Sequence, residues 1–213
     1  MRLTRATHKA IDYACRHFHY AAATPFVIIG YNVYNDNDEW CGVVLFGNGA
    51  TPNIGKPYGL VQGQTLELVR VALNGKQELT SQCISMALKK LHKDKPMCRL
   101  VVSYADIDQS HLGTIYQATN WIYTGETCRG GRYFIINGEK THPRAVAHIC
   151  EQSINAVRQN IDPTATEFRS RGKHRYLMPM DKRMRRQLQP MAQPYPKNDG
   201  WTKIDRNQYK TMT

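Results

Sequence analysis

The apolar run Leu100–Val102 passes directly into the polar sequence SYAD, residues 103–106. Open α/β sheets place ligands beyond the carboxyl ends of their strands, so these side chains are candidates for chemistry. A carboxylate at Asp106 could act as a general base, bind an exocyclic amine or ligate a metal ion. The structural alternative is that Asp106 caps the following helix while Tyr104 fills the core. Strand alternation puts Tyr104 and Asp106 on one face, with Ser103 on the other.

A second candidate set is the sequence HFHY, residues 17–20, at the expected end of the first helix. His17 and Tyr20 are three residues apart and would share one helix face, with His19 on another side. The helix dipole stabilises a histidine cation at a helix C-terminus, which explains one of the two histidines without any function. The sequence favours a functional site and a helix cap equally at residues 17–20. A metal centre would need further ligands, for which Asp106 and His111 are candidates.

Two basic segments could contact nucleic acid phosphates. GGRYFIINGEKTHPRAV (130–146) carries the hairpin sequence Asn137-Gly138 with basic side chains around it, although a solvated turn is the alternative. The C-terminal segment interleaves basic residues with tyrosines and methionines, which suits phosphates and unstacked bases. We expect it to lie as an arm across the body or on DNA. The predicted DNA-binding residues are Arg132, Lys140, Arg144, Arg169, Arg171, Lys173, Arg175, Lys182, Arg183, Arg185 and Arg186.

The charge of the chain points to a polyanionic partner. The 213 residues include 29 Lys or Arg against 17 Asp or Glu, a net charge of +12. Residues 166–213 hold 12 of these basic residues and four acidic ones. Neutralising phosphates releases condensed counterions, so we expect double-stranded DNA as the partner, with a merely solvated basic tail as the alternative.

Composition excludes several classes of protein. Hydrophobic residues make up 41% of the chain, which excludes global disorder, and the lack of a long apolar run predicts no membrane span. The N-terminus has no apolar signal core. Six scattered cysteines show no metal or disulfide spacing, so we expect reduced and mostly buried thiols in a cytoplasmic protein.

Hydrophobic periodicity predicts the elements that position these residues. We expect a first helix at 4–18, capped by Thr4 or Thr7, and a second at 82–92, capped by Thr80 or Ser81. Further helices are predicted at 109–119 and 143–160, and strands at 25–35, 40–49, 66–74, 97–105, 121–126 and 131–138. The chain should be irregular after Pro163.

This order predicts an α/β fold, a mixed sheet flanked by helices. Antiparallel strands come first, followed by a strand–helix–strand–helix–strand unit that needs parallel crossovers. The order matches that of the GNAT acyltransferase fold. We therefore expect a GNAT-like catalytic domain at 1–165 and a basic C-terminal extension at 166–213.

Three blocks of the sequence resemble the Mom family of bacteriophage DNA-modification proteins: SYADIDQSHLGTIYQATNWIYTGE, GRYFIINGEKTHPRAV and KHRYLMPMDKRMRRQLQ. The resemblance implies a GNAT-like fold and conversion of adenine in double-stranded DNA to its carbamoylmethyl form, which blocks host restriction enzymes in the bacterial cytoplasm. It also implies a bound iron ion and a His-Tyr pair with an Asp. The matching positions are His19, Tyr20 and Asp106.

One departure from the GNAT pattern concerns the group donor. Acetyl-CoA enzymes of this fold have a Gln/Arg-x-x-Gly-x-Gly/Ala loop whose backbone amides hold the pyrophosphate. Here the junction reads NGKQELTSQCIS, with Gly75 as its only glycine, so acetyl-CoA is doubtful. A glycyl group on the adenine amine is an isomer of the carbamoylmethyl product. We therefore hypothesise an activated glycine donor, such as glycyl-tRNA, with Asp106 acting on the attacking amine and His19 and Tyr20 on the leaving group.

The target amine lies inside the duplex, so the base must be flipped out. Candidates for stacking on it are the aromatic residues Tyr104, Tyr116, Trp121 and Tyr123, of which Trp121 and Tyr123 are better explained as core. Two alternatives to this function stay open: an acyltransferase acting on another amine, and a DNA-binding protein without catalysis. The oligomeric state is also open, with a homodimer as one candidate.

Overall fold

The structure is a computed structural model that describes residues 1–49, 51, 53–128 and 131–197. The end of the predicted arm, residues 198–213, and Gly130 of the predicted hairpin segment lie outside the described residues. By their contacts the described residues form two units. Unit 1 comprises Met1–Ala105, Gly113–Gly125 and Arg175–Tyr195, and unit 2 comprises Asp106–Leu112, Glu126–His174, Pro196 and Lys197.

Ten strands and six α-helices are present in the described residues. The strands are β1 (Arg2–Arg5), β2 (Ile29–Tyr34), β3 (Trp40–Gly47), β4 (Thr65–Leu73), β5 (Leu100–Asp106), β6 (Ile122–Glu126), β7 (Arg132–Ile136), β8 (Glu139–Thr141), β9 (Thr166–Arg169) and β10 (Lys173–Pro179). The helices are α1 (His8–Phe18), α2 (Thr80–Asp94), α3 (Thr114–Gln117), α4 (Pro143–Val146), α5 (Ile154–Asn160) and α6 (Lys182–Leu188).

A seven-stranded sheet with the order β1-β2-β3-β4-β5-β10-β6 dominates unit 1. The strands from β1 to β4 pair antiparallel, whereas β4 and β5 pair in parallel. The predicted α/β class, with a mixed sheet flanked by helices, is confirmed. Two strands of this sheet differ from expectation: Arg2–Arg5 is a strand rather than the start of the first helix, and Lys173–Pro179 is an interior strand rather than an irregular segment.

Helices cover both faces of this sheet. On one face α2 buries Cys83, Ile84, Ala87 and Leu91 against residues such as Phe46 and Val101. On the other face α1 buries Ile11, Ala14 and Cys15 against Val43 and Leu45, while Met184 and Leu188 of α6 pack on Leu100 and Val102. Strand alternation therefore provides two apolar surfaces, one for each layer of helices.

The ends of the helices follow local hydrogen bonding. Thr7 caps α1, its Oγ1 accepting from the Ala10 N–H at 3.3 Å, as one of the two predicted caps. The predicted N-cap of α2, Thr80 or Ser81, is wrong. The N-cap is Leu79, which makes no side-chain capping hydrogen bond, and Thr80 is the first helical residue. The predicted helix at 143–160 is interrupted between α4 and α5, and α3 is shorter than expected.

Unit 2 contains a three-stranded antiparallel sheet with the order β8-β7-β9. Its core joins Phe134 and Ile136 of β7 to Val146 and Val157 on the short helices. Cys15, Cys41, Cys83 and Cys98 are buried free thiols in unit 1, as expected, whereas Cys128 is exposed. Among the described residues, no helix has the length and apolar character needed to cross a membrane.

Candidate functional site

The C-terminal end of α1 borders a cleft of about 520 Å³ in unit 1. His17 to Tyr20 line it together with Leu73 and Asn74 from the end of β4. The helix ends at Phe18, and His19 has an extended backbone, with φ −127° and ψ 136°. The prediction that His17 and Tyr20 share a helix face is therefore wrong, because Tyr20 follows the last helical turn.

His19 is held through its Nδ1 atom. The backbone N–H of Ala21 donates to this atom at 3.1 Å, and Nη1 of Arg70 lies 2.6 Å from it. A backbone amide and a guanidinium can only donate, so Nδ1 is an acceptor and the ring proton of neutral His19 is on Nε2. The ring of Tyr20 lies 4.3 Å from that of His19, and Tyr20 is 58% exposed.

His17 has the opposite arrangement. Its Nδ1 lies 2.9 Å from the carbonyl oxygen of Tyr13, which can only accept, so Nδ1 of His17 carries a proton. The His17 ring also stacks on Tyr13 at 4.1 Å. These contacts give His17 a structural role at the helix end, as the capping explanation predicted for one of the two histidines.

A β-bulge in β4 directs Arg70 toward α1. Phe46 of β3 pairs with Leu68, but the preceding residue Leu45 pairs with Arg70, so Val69 is inserted. Leu68 belongs to the cluster beneath α2, and a regular strand would place Arg70 on that same face. The extra residue moves Arg70 to the α1 face instead. Burial raises the pKa of the Cys15 thiol of α1, and the positive charge of Arg70 opposes this shift. This interaction agrees with the position of Arg70 on the α1 face.

Strands β4 and β5 separate beside the polar sequence 103–106. Their pairing ends at Glu67 and Val102, although both strands continue. Beyond this point the hydroxyl of Ser103 donates to the Leu68 carbonyl oxygen at 3.0 Å, and the Tyr116 hydroxyl lies 2.8 Å from Ser103 Oγ. Since the serine proton goes to the carbonyl, Tyr116 donates to the serine. A side-chain bridge thus takes the place of strand pairing where the sheet opens.

The two tyrosines near this opening lie on opposite faces of the sheet. Burial raises the pKa of Tyr116, which packs in the cluster beneath α2, to about 12. Tyr104 is half-buried against the cluster under α6, and burial first, then Glu67, raises its pKa to about 12. Both phenols are therefore hydrogen-bond donors at neutral pH. Trp121 and Tyr123 are buried in the core, which confirms their expected structural role.

Asp106 belongs to unit 2 and is the last residue of β5. Its Oδ1 accepts from the Asp108 N–H at 3.0 Å, capping the 3-10 turn Ile107–Gln109, and its carbonyl oxygen accepts from the His111 N–H at 3.0 Å. The structural alternative proposed from sequence, a cap, is therefore present. A catalytic role for Asp106 with His19 and Tyr20 stays a prediction.

The predicted metal centre does not fit the donors in unit 1. Nδ1 of His19 already receives two hydrogen bonds, one of them from a permanently charged guanidinium that disfavours a neighbouring cation. Apart from His19, the predicted ligand in this part of unit 1 is Tyr20, which offers a single phenol oxygen to a metal ion. Across the described ranges there is no group of three His, Cys, Asp or Glu residues placed to hold a metal ion. The donors around the cleft therefore do not match the iron site that the family resemblance implies.

Three of the predicted DNA-binding residues form an exposed basic face in unit 1. Lys182, Arg183 and Arg186 point outward from α6, opposite the buried Met184 and Leu188. Arg185 is half-buried, with Nη2 donating to the Asn120 carbonyl oxygen at 3.1 Å. Arg175 donates from Nε to Thr124 Oγ1 at 2.8 Å. Arg185 and Arg175 thus have local partners, whereas the α6 face is presented to solvent.

The other predicted DNA-binding residues lie in unit 2 and are mostly exposed. Lys140 Nζ forms an ion pair with Asp108 at 3.1 Å and lies 4.5 Å from the ring centres of Tyr133 and Phe168. Arg132 hydrogen-bonds the Gln152 carbonyl oxygen, and Arg169 pairs with Glu167 at 3.4 Å. The remaining three are Arg144, Arg171 and Lys173.

Sequence reasoning missed Arg70 and the bridge from Ser103 to Tyr116. Arg70 had one signal, a lone charged residue inside the otherwise apolar run LVRVAL. Ser103 was identified as a candidate for chemistry, but its partners come from β4 and α3, and no spacing in the sequence indicates them.

The mixed sheet is covered by helices on both faces, and its parallel pair β4–β5 opens at a polar bridge, which defines an α/β fold. Solved structures similar to the chain include a variant of spermidine N-acetyltransferase SpeG from Vibrio cholerae, at 7% identity and a TM-score of 0.49. That alignment covers 87% of this chain and 99% of the enzyme. A Bacillus subtilis acetyltransferase in complex with CoA is similar at 14% identity and a TM-score of 0.36, covering 71% and 76% of the two chains.

The chain belongs to the Mom protein family, whose family model matches residues 1–197. Among characterised proteins it is similar to the methylcarbamoylase Mom of Escherichia phage Mu, at 27% identity over 163 residues. This alignment covers 73% of the chain and 67% of the relative.

Proposed function

We propose that the chain is a bacteriophage DNA-modification transferase that converts adenine in double-stranded DNA to its N6-carbamoylmethyl form. The observation that carries this proposal is membership of the Mom family over residues 1–197, with a phage Mu relative named a methylcarbamoylase. Adenine presents its N6 amine in the major groove, where proteins read it as a donor. A substituent there would block recognition by restriction enzymes in the cytoplasm of the host.

The donor we propose is a glycyl ester, such as glycyl-tRNA. The junction between β4 and α2 has Gly75 as its only glycine, so the loop that holds coenzyme A in GNAT enzymes is missing. The polyanionic tRNA also suits a chain with a net charge of +12. Acetyl transfer would attach a carbonyl carbon to the adenine amine, whereas carbamoylmethyl attaches a CH2 group and adds an amide nitrogen.

The chemistry balances in two steps. First the adenine amine attacks the glycyl carbonyl carbon, and the ester bond breaks with release of the tRNA hydroxyl, which takes up the proton lost by the amine. The free glycyl amine then attacks ring carbon six through a five-membered ring. The bond from that carbon to the original nitrogen breaks, the new amine loses a proton and the departing amide gains one. The product contains every atom of the glycyl group and needs no oxidant or reductant.

The residues identified from the sequence have the following roles in the proposed scheme. Nε2–H of His19 and the hydroxyl of Tyr20 donate to the oxygen that leaves in the first step. A carboxylate at Asp106 accepts a proton from the attacking amine in the second. DNA phosphates bind the exposed α6 face and the basic residues of unit 2, while the target base is flipped out of the duplex.

The test is to express the chain in bacteria, digest the DNA to nucleosides and measure the mass of deoxyadenosine. We expect a new nucleoside heavier by one glycyl residue. Unmodified deoxyadenosine throughout would overturn the proposed function, leaving an acyltransferase for another amine or a DNA-binding protein. A His19→Ala variant expressed at the same level provides the control, because it should leave the adenine unmodified.

Isotope labelling tests the donor separately. Cells fed 15N-glycine should place the heavy nitrogen on ring carbon six, because the rearrangement exchanges the two nitrogens. Hydrolysis of the side-chain amide should then release unlabelled ammonia and leave labelled carboxymethyladenine. Heavy nitrogen in the released ammonia would contradict the rearrangement, and no label in the nucleoside would contradict glycine as the donor.

A further inference from the structure

Arg70 has more hydrogen-bonding capacity than its structural surroundings use. Its Nη1 lies 2.6 Å from His19 Nδ1, while its buried Nε–H has no hydrogen-bond partner among the described residues. Leaving a buried donor unsatisfied destabilises the fold. A β-bulge at Val69 also turns Arg70 from the α2 face toward α1. The irregular strand and the unsatisfied donor are thus two local costs of the contact between Arg70 and His19. Such costs are concentrated at functional sites.

We propose that Arg70 is a positioning residue that locks His19 in its Nε2–H tautomer. Nε2 is then a fixed hydrogen-bond donor toward an oxygen of the reacting group. The identity of this oxygen, as the leaving ester oxygen of the glycyl donor, rests on the proposed function, whereas the tautomer of His19 does not.

The choice of arginine follows from its chemistry. A guanidinium keeps its protons at all physiological pH values, so its N–H groups are permanent donors to Nδ1. A proton on Nδ1 would point at these N–H groups, and a ring protonated on both nitrogens would also place two cations side by side. The Ala21 N–H, at 3.1 Å, adds a second donor to the same atom. Arg70 therefore excludes both the other tautomer and a metal ion at Nδ1.

His17 provides an internal reference, because its Nδ1–H donates to the Tyr13 carbonyl oxygen at 2.9 Å. Two histidines separated by one residue should thus show opposite tautomers in one spectrum. The experiment is a long-range 1H–15N correlation spectrum of the protein labelled with 15N-histidine, recorded at neutral pH. We expect Nδ1 of His19 to have the shift of an unprotonated ring nitrogen, and Nδ1 of His17 that of a protonated one.

Arg70→Met removes the donor but keeps an unbranched side chain. We expect the His19 signals to move toward the average of two tautomers, with the His17 pattern unchanged as a check on the fold. Arg70→Gln keeps an N–H donor and should retain more of the single tautomer. Arg5→Met, at an exposed arginine of β1, should leave both histidines as they are.

Adenine modification is measured in the same variants. We expect Arg70→Met to lose roughly 100-fold in rate, as for a misplaced reacting group, and Arg70→Gln to lose less. Averaged tautomers for His19 in the unaltered protein, or an unchanged His19 pattern in Arg70→Met, would overturn the positioning role. Unmodified DNA with a single His19 tautomer that depends on Arg70 would instead overturn only the proposed function.

Discussion

His17 and His19, separated by a single residue at the end of α1, use their Nδ1 atoms in opposite senses. One donates to the Tyr13 carbonyl oxygen, and the other accepts from Ala21 and Arg70. The difference arises because the helix ends between them: the His17 ring turns back onto Tyr13 within α1, and the His19 ring turns toward Arg70 of β4. Both histidines line the cleft, but the His17 ring is held by its own helix and the His19 ring is held by β4.

The hydroxyl of Tyr20 should matter for modification and not for stability. Tyr20 is 58% exposed, so Tyr20→Phe should change the free energy of unfolding by less than about 0.5 kcal/mol. We expect the rate of adenine modification to fall by at least roughly tenfold, since one donor to the leaving oxygen is lost. Tyr13→Phe, at an exposed tyrosine within α1, is the matched control. Equal rates for the two variants would exclude the Tyr20 hydroxyl from the chemistry.

Asp106 can be tested while its cap is preserved. Asparagine caps as well as aspartate does, so Asp106→Asn should keep the hydrogen bond from the Asp108 N–H and the stability of the turn. We expect loss of adenine modification with salt-dependent DNA binding intact, because only the carboxylate is removed. Nucleoside mass and a DNA-binding titration measure the two effects. Loss of both would show that Asp106 has a folding role.

The exposed face of α6 should bind phosphates. Changing Lys182, Arg183 and Arg186 together to Gln should weaken DNA binding for all sequences and lower the slope of log K against log salt by up to about 3. The matched control is the triple change of Lys89, Lys93 and Lys95 to Gln on and after α2, which removes the same charge from exposed positions. If both triples weaken binding equally, net charge rather than the α6 face is responsible.

The ion pair that anchors α6 makes stability depend on pH. Arg99 Nε donates to Asp181 at 2.8 Å and holds the pKa of that carboxyl below its ordinary value of 3.8. The pair therefore stabilises the fold above about pH 4, and this contribution disappears as the pH falls through the lowered pKa.

Denaturant unfolding between pH 6 and pH 3 should show a smaller loss of stability at low pH in Asp181→Asn than in the unaltered protein. The asparagine variant retains the cap on the Met184 N–H, whereas Asp181→Ala should lose about a further 1 kcal/mol at all pH values. Parallel pH profiles for Asp181→Asn and the unaltered protein would refute the contribution of the ion pair.

Two features require glycine at position 113: its backbone conformation and the nearby ring of Tyr176. Its φ is +70°, and a Cβ there would lie 2.4 Å from the ring of Tyr176. Gly75 has a similar φ, +87°, with nothing within 4 Å of the corresponding position. Both alanine variants should lose about 1 kcal/mol to backbone strain, and Gly113→Ala should lose more because Tyr176 is buried and cannot move away. Equal melting temperatures would contradict this difference.

Local patterns predicted much of unit 1. The segments that form β3, β4, β5 and α2 have clear apolar periods, because their side chains pack against elements that are close to them in the sequence. Arg2–Arg5 was missed because RLTR is too short and polar to show a period, and it becomes a strand only by pairing with Tyr31–Tyr34. The segment after Pro163 was misjudged because its charge outweighed the alternation of His174 and Tyr176, both of which are buried.

The candidate site was predictable only in part. His19, Tyr20 and Asp106 were identified from their residue types, their neighbours and a family resemblance. Arg70 could not be assigned to them, because the inserted residue Val69 reverses which face of β4 it occupies. A bulge depends on the partner strand, so a period-two pattern gives the wrong face for every residue beyond it.

Strand β10 also determines the order in which the molecule can be built. It consists of Lys173–Pro179, yet it lies between β5 and β6. While the chain is being synthesised, both of those strands leave the ribosome long before the strand that separates them. Until it arrives, each has an open edge that can pair with another chain. We therefore expect that unit 1 completes its fold only once Lys173–Pro179 has been synthesised, and that chains ending before Lys173 aggregate instead of forming a smaller version of the fold.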